Sequence, residues 1–193
     1  ILIIFTSFQS FGQEIPKLTV EKFTDLPAAK VGEESFGYAG MLGGYQKNIF
    51  IVAGGANFPE GLPWEGGKKV WSKKVYIFEG GKWRLSAKEI PIALGYAASV
   101  STKKGILTIG GNNANTISDK VLFFTYNTKT KDVEITEYPK LPEPLAFAAA
   151  VVEGDFVYVI GGKNKKGSTN KIPSKYIATG KVDFEIVTAL KHY

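Results

Sequence analysis

The chain has 193 residues, 44% of them hydrophobic and 13% aromatic, and this composition, with its 22 glycines, excludes a disordered protein. It has no cysteine and one histidine, His192, which excludes a disulfide scaffold, a thiolate or histidine-built metal site, a cysteine nucleophile and a Ser-His-Asp triad. The net charge of +6 comes from lysines placed mostly at turns and strand ends with a single arginine, Arg84, which is typical of a solvated surface and predicts no nucleic-acid partner.

The first predicted element is an apolar segment, ILIIFTSFQSFGQ, over residues 1–13. The apolar run and the small residues Ser10 and Gly12 are typical of an export signal whose basic start is missing. The segment is too short to span a bilayer, so no membrane partner is predicted. Cleavage after Gly12 or Gln13 would give a periplasmic or secreted protein over 14–193. The alternative is a buried first strand.

A strand is predicted next, over residues 17–24. The segment that contains it, KLTVEKFTDLP at 17–27, reads like VEITEYPKLP at 133–142, which has the pattern of an outer strand. A proline ends both segments, because it breaks sheet pairing and favours an extended turn. Residues 17–24 are therefore predicted to be an outer strand that precedes, in the sequence, any inner strands of its own sheet.

Three glycine doublets then mark a repeated unit. They lie at 54–55, 110–111 and 161–162 and follow the apolar runs FIVA, ILTI and FVYVI. The second doublet begins 56 residues after the first, and the third begins 51 residues after the second. A near-constant period of this kind indicates one structural unit repeated along the chain.

Each unit contains four predicted strands. The first strand starts on an aromatic residue, with Tyr38, Tyr96 and Phe147 taken as equivalent, and the second ends at the doublet. The third is KVYIFE, KVLFFTY or SKYIA, and the fourth alternates polar and apolar residues, as a half-exposed outer strand does. The predicted fold is an all-β propeller with blades at about 36–88, 95–138 and 146–188.

The predicted ring is incomplete. Three blades do not close a propeller, and strand 17–24 needs a three-stranded partner blade that the chain does not contain. We therefore expect the chain to be about half of a six-bladed ring. The alternative is a three-bladed unit that dimerises into one ring, and the sequence leaves the oligomeric state open.

The first unit has the spacing of the kelch repeat. Gly54-Gly55 is followed by Tyr76 and then by Trp83, while the later units keep the glycines and Tyr126 or Tyr176 but lack the tryptophan. A kelch resemblance implies the propeller fold and leaves the function open.

A narrower resemblance covers residues 33–125. The segments GGANFPEGLPWEGGKKVWSKKVYIFEGGKW, ALGYAASV and GILTIGGNNA resemble the kelch-type N-acetylneuraminate epimerases, or sialic acid mutarotases, in particular their circularly permuted branch. The resemblance implies interconversion of the anomers of free N-acetylneuraminate, in the periplasm, without a metal or organic cofactor. The small-molecule partner is then a sugar acid.

Loops that follow the second strands and precede the first strands emerge on one face, where functional residues are expected. Mutarotation needs an acid and a base to open the sugar ring, and the sugar carboxylate needs a cation. We predict Lys69 as this cation, with Lys68 and Lys73 as alternatives. The predicted catalytic residues are Glu34, with Glu33 as its alternative, and Lys69. The predicted substrate-binding residues are Asn57, Phe58, Lys69, Trp71, Tyr96 and Asn112, with Trp64 and Asn113 as further possibilities.

Each assignment has a structural alternative. Lysines of a long loop are usually solvated, asparagines after glycines often make turns, and Tyr96 could serve packing near the axis. The acid and base could also lie in blades outside this chain. For the whole protein, the alternative function is a non-catalytic kelch propeller that binds a glycan or a protein.

Overall fold

The computed structural model describes residues 19–28, 32–154, 156–165, 167–168, 174–178 and 184–187. Within these ranges the regular structure is β, apart from one 3-10 turn at Pro63–Glu65. Three four-stranded sheets confirm the predicted all-β fold of four-stranded blades. In the described part of the chain, no helix has the length and apolarity needed to cross a membrane. The predicted export signal at 1–13 lies outside the described residues.

The first blade holds the longest loop. Its four strands are antiparallel, in the order β1, β2, β5, β6, and a two-stranded ladder of β3 and β4 forms within the loop after the first doublet. The bounds are β1 Leu42–Gln46, β2 Ile49–Ala53, β3 Ala56–Asn57, β4 Val70–Trp71, β5 Lys74–Glu79 and β6 Lys82–Glu89.

The second and third blades repeat the same order. The second runs β7, β8, β9, β10 from its inner to its outer strand, and the third runs β11, β12, β15, β16, with β13 and β14 paired in its loop. The bounds are β7 Ala98–Ser101, β8 Ile106–Ile109, β9 Val121–Asn127, β10 Asp132–Tyr138, β11 Ala149–Glu153, β12 Phe156–Ile160, β13 Lys163–Asn164, β14 Gly167–Ser168, β15 Ser174–Ala178 and β16 Phe184–Val187.

The blades pack face to face through their apolar strands. Alternate residues of β2, such as Ile49 and Ile51, join one buried cluster with Phe124 of the second blade. A second cluster joins Leu107 of the second blade to Val157 of the third. Both faces of β8 and β9 are thus buried, which explains why those runs are apolar without alternation.

The described part of the predicted strand 17–24, residues 19–24, is not in a strand. Phe23 instead lies against the first blade, with its ring centroid 4.5 Å from that of Phe78, and the Trp83 Nε1–H donates to the Thr24 carbonyl at 3.1 Å. The pairing of this segment with another blade stays a prediction.

The sheet register corrects the alignment of the three aromatic starts. Residues 39, 95 and 146 each pair with the residue that directly follows a doublet, so the next residues, Gly40, Tyr96 and Phe147, are equivalent. All three have positive φ, at 63°, 58° and 58°. Taking Tyr38 as the equivalent of Tyr96 was wrong by two residues, because the first blade has glycine where the others have an aromatic ring.

The alignment of Tyr76 with Tyr126 and Tyr176 was also wrong. Tyr76 pairs across the ladder with Val52, which lies two residues before the first doublet. At the same distance before the second and third doublets, the paired residues on the third strand of each blade are Leu122 and Ser174. The kelch tyrosine is therefore present only in the first of these three blades, where it is fully buried.

Candidate functional site

The first two glycine doublets each dock against the entry to the next blade. The Gly55 N–H donates to the Leu94 carbonyl and the Gly111 N–H donates to the Leu145 carbonyl, both at 2.8 Å. A Cβ on Gly54 would lie 2.2 Å from the Leu94 oxygen, and φ there is 62°. Only glycine fits such a close approach at positive φ. The doublets thus fix where the loops carrying the predicted site residues leave their blades.

Lys69 forms the centre of one cluster of predicted residues. Its Nζ donates a hydrogen bond to the Tyr96 hydroxyl at 2.6 Å and lies 4.5 Å from the centroid of that ring. It also lies 5.4 Å from the centroid of Trp71, the last residue of β4. Two aromatic rings hold the ammonium by cation–π attraction in addition to the hydrogen bond. We call Lys69, Trp71 and Tyr96 the lysine cluster.

Tyr96 is held by its two equivalents in the neighbouring blades. Its N–H donates to the Gly40 carbonyl at 2.7 Å, and its carbonyl accepts from the Phe147 N–H at 2.8 Å. A Cβ on Gly40 would lie 2.5 Å from Tyr96 Cδ1, so the tyrosine ring occupies the space that a side chain there would need. The Phe147 ring packs on Tyr96 with centroids 4.8 Å apart. The missing side chain at position 40 therefore makes room for the Tyr96 ring.

A cavity of about 400 Å³ shares Trp71 with the lysine cluster, while Lys69 and Tyr96 are not among its lining residues. This volume suits a monosaccharide, since small-molecule pockets span about 300–1,000 Å³. Glu34 and Asn57 line the cavity together with Glu33 and Lys73.

The other two charged groups of the cavity neutralise each other. Lys74 Nζ lies 2.7 Å from Glu89 Oε1, and the hydrogen bond from Lys74 lowers the pKa of Glu89. Glu33, Glu34 and Lys73 therefore set the electrostatic character of the remaining lining.

Tyr38 also lines this cavity. The sequence did not indicate this position, because Tyr38 was taken as the equivalent of Tyr96 and Phe147. Its hydroxyl lies 3.4 Å from that of Tyr76. Burial, followed by the hydrogen bond to Tyr38, raises the pKa of Tyr76 far above its ordinary value. Tyr76 is therefore a neutral, structural support behind Tyr38.

Two asparagines have a repeated structural role. The side-chain amide of Asn57 donates to the Gly37 carbonyl at 3.1 Å, and that of Asn113 donates to the Ala93 carbonyl at 2.9 Å. Each bond ties the loop after a doublet to a residue 20 positions earlier. The signal was present in the sequence, because all three units read Gly-Gly-x-Asn, as GGAN, GGNN and GGKN.

Asn112 differs from these two. Its Oδ1 is buried without a hydrogen-bond partner, and so is the Trp71 Nε1. Asn112 pairs with Gly95, the residue before Tyr96, and a Cβ on Gly95 would face Gly40 and Gly55 at 3.2 and 3.3 Å. Since paired residues of an antiparallel ladder carry side chains on one face, the Asn112 side chain leaves the ladder toward the first blade. Unpaired buried polar groups are costly and mark places where a ligand or water completes the bonding.

The other predicted residues stand apart. Phe58 is half-buried and is not among the residues that line the cavity, and Lys68 is exposed. Trp64 is 78% exposed on the 3-10 turn of the long loop. The structure thus joins Lys69, Trp71 and Tyr96 in one cluster and Glu34, Asn57 and Trp71 around one cavity. Among the described residues, no group of three or more His, Cys, Asp or Glu side chains is arranged to hold a metal ion.

Comparison with known proteins gives a family match over much of the chain. The family model described as N-acetylneuraminate epimerase matches residues 7–135. The N-acetylneuraminate epimerase of Haemophilus influenzae (strain PittEE) is 42% identical over 96 residues, covering 45% of this chain and 25% of the relative. That of Vibrio cholerae is 31% identical over 138 residues, covering 64% of this chain and 34% of the relative. The matched part of the chain spans about a quarter to a third of the length of these relatives.

A solved structure entitled "Structure of YjhT", a kelch propeller, superposes with a TM-score of 0.61. The alignment covers 81% of this chain and 53% of that structure at 13% sequence identity. At this identity the likeness concerns the fold alone, and it supports the kelch-type propeller architecture of the three blades.

Proposed function

This chain belongs to the N-acetylneuraminate epimerase family, and from that premise we propose that the full-length protein interconverts the anomers of N-acetylneuraminate. The observation that carries the proposal is the lysine cluster, in which a cation is fixed between two aromatic rings beside a cavity of monosaccharide size. This combination suits an anionic sugar, which presents a carboxylate together with apolar ring faces.

In this proposal, Lys69 binds the sugar carboxylate. An ammonium has three N–H donors, and the Tyr96 hydroxyl takes one of them, so two remain for carboxylate oxygens. Such charge-assisted hydrogen bonds are shorter and stronger than neutral ones. The pre-positioned ammonium also loses less side-chain entropy on binding than a free lysine would.

The sugar's remaining groups have partners in the same region. The ring of Trp71 offers a face for the apolar side of the pyranose, and its Nε1–H is a donor without a partner. The Asn112 Oδ1 is an acceptor without a partner, suited to a sugar hydroxyl or the acetamido N–H. In this proposal the bound sugar completes the bonding of these two atoms, a buried donor and a buried acceptor without partners.

Glu34 is the base that we propose for the reaction. It lines the cavity that contains Trp71, and an ionised carboxylate can take the proton of the anomeric hydroxyl. No organic cofactor or metal takes part in the proposed reaction, because ring opening of a hemiketal needs only proton transfers. We further propose that the protein acts in the periplasm or outside the cell.

The test is the rate of anomer equilibration, followed by polarimetry or NMR, on freshly released α-anomer. The full-length protein is expected to equilibrate the anomers faster than buffer alone, with a rate proportional to enzyme concentration. If equilibration is no faster than in buffer while the sugar acid still binds, the protein is a binding module and the enzymatic proposal is wrong.

A further inference from the structure

The Tyr96 hydroxyl has a proton that its contact with Lys69 does not use. An ammonium can only donate, so in the 2.6 Å contact the Tyr96 oxygen is the acceptor and its own O–H points elsewhere. Among the described residues, Lys69 is the one hydrogen-bond partner of this hydroxyl. Tyr96 as a residue is half-buried, so part of it is exposed to solvent.

The packing of the blades does not require this hydroxyl. The equivalent residue of the third blade is Phe147, which has the same left-handed backbone and the same hydrogen bond to the preceding blade. The equivalent residue of the first blade is Gly40, which has no side chain. The hydroxyl is present in one of three equivalent positions, and there it contacts the half-buried Lys69. This combination points to a role in the reaction and not in folding.

We propose that Tyr96 is the acid that protonates the ring oxygen of the sugar when the ring opens. This inference rests on the proposed mutarotase function and deepens it. Lys69 then has two tasks, because its ammonium binds the carboxylate and also stabilises the phenolate that Tyr96 becomes after giving up its proton.

Glu34 takes the proton of the anomeric hydroxyl, and that oxygen forms the carbonyl as the bond from the anomeric carbon to the ring oxygen breaks. The electron pair of the broken bond stays on the ring oxygen, which receives the Tyr96 proton. Rotation about the single bond between the carbonyl carbon and the neighbouring chain carbon presents the other face of the carbonyl, and the reverse proton transfers close the ring on either face. Ring closure restores Tyr96 and Glu34 and gives either anomer.

The experiment compares Tyr96→Phe with wild type in the full-length protein, using NMR exchange between the anomers over a range of sugar concentrations. Because Phe147 is a natural phenylalanine in the same backbone setting, the variant is expected to fold with an unchanged Tm. The kcat should fall at least about 100-fold, the usual contribution of a general acid, while KM changes less than about threefold. Tyr138→Phe, on the outer strand β10, is the matched control and should keep wild-type kcat.

A kcat for Tyr96→Phe within about threefold of wild type, with an active wild type, would overturn the role of Tyr96 and leave the mutarotase function standing. An inactive wild type would instead overturn the proposed function itself. Lys69→Gln gives a second readout that does not alter Tyr96, and it should raise KM and also lower kcat at saturating sugar. An unchanged kcat in Lys69→Gln would contradict the stabilisation of the phenolate by the ammonium.

Discussion

Replacing Gly40 with alanine tests how the first blade positions Tyr96. The added Cβ would lie 2.5 Å from Tyr96 Cδ1 and 2.6 Å from Cε1, well inside van der Waals contact. The backbone of Tyr96 is fixed next to Gly40, because the Tyr96 N–H donates a hydrogen bond to the Gly40 carbonyl. The ring therefore has to move, and we expect the contact between Tyr96 and Lys69 to lengthen or break.

The expected loss of unfolding free energy in Gly40→Ala has two parts. At φ 63° a non-glycine residue costs about 1–2 kcal/mol in backbone energy. Overpacking against a fixed ring adds about 1–3 kcal/mol. Gly80→Ala is the matched control, because Gly80 has φ 58° and a Cβ there would meet nothing within 4 Å. Gly80→Ala therefore has the backbone cost of positive φ without the cost of overpacking.

The assay is urea unfolding of both variants and wild type, with unfolding free energies from linear extrapolation at equal m. We expect Gly40→Ala to lose about 1–3 kcal/mol more than Gly80→Ala, and also to bind the sugar acid more weakly. Equal destabilisation and equal affinity in the two variants would refute the conclusion that the missing side chain at position 40 makes room for Tyr96.

Three further predictions concern charge and hydrogen bonding. Lys69→Met should weaken binding of the sugar acid roughly 10- to 150-fold in calorimetry, the value of about 1.5–3 kcal/mol for hydrogen bonds to a charged group, while exposed Lys68→Met should leave the affinity unchanged. Asn113→Ala removes a donor to the Ala93 carbonyl and an acceptor for two backbone amides, so it should lower the unfolding free energy by about 1–3 kcal/mol, and no loss would contradict its structural role. Burial alone would raise the pKa of Asp132, but hydrogen bonds, first from Ser86, lower the pKa below 3.8, so the stability that it contributes is present above about pH 4 and is lost as pH falls through the folded-state pKa. The gap in unfolding free energy between wild type and Asp132→Asn should therefore shrink between pH 7 and pH 3, and a constant gap would show that ionisation of Asp132 does not stabilise the fold.

The blade architecture could be predicted from the sequence because it depends on local patterns. A doublet closing an apolar run marks a tight turn at positive φ, and its near-constant period marks the repeated unit. What failed was the matching of individual aromatics between units. Tyr38, Tyr96 and Phe147 look equivalent by residue type, yet the hydrogen-bond register makes Gly40 the equivalent of Tyr96.

The candidate site was predictable only in part. The long loop after Gly54-Gly55 identified Lys69 and Trp71 as residues of interest, but their contact with Tyr96 joins positions 27 residues apart on different blades. Such a contact depends on the path of the loop and on the space above Gly40, and neither is set by a local pattern. The asparagines show a pattern that was readable, since Gly-Gly-x-Asn recurs in all three units and Asn57 and Asn113 make the same loop contact, while substrate binding by Asn57 stays a prediction.

The most direct test of the account is a co-crystal structure of the full-length protein with N-acetylneuraminate. We predict the sugar carboxylate within hydrogen-bond distance of Lys69 Nζ, the pyranose against Trp71, and the ring oxygen facing the Tyr96 hydroxyl. A sugar bound at a different place, with the 2.6 Å contact between Lys69 and Tyr96 unchanged and no ligand atom near it, would contradict the central claim.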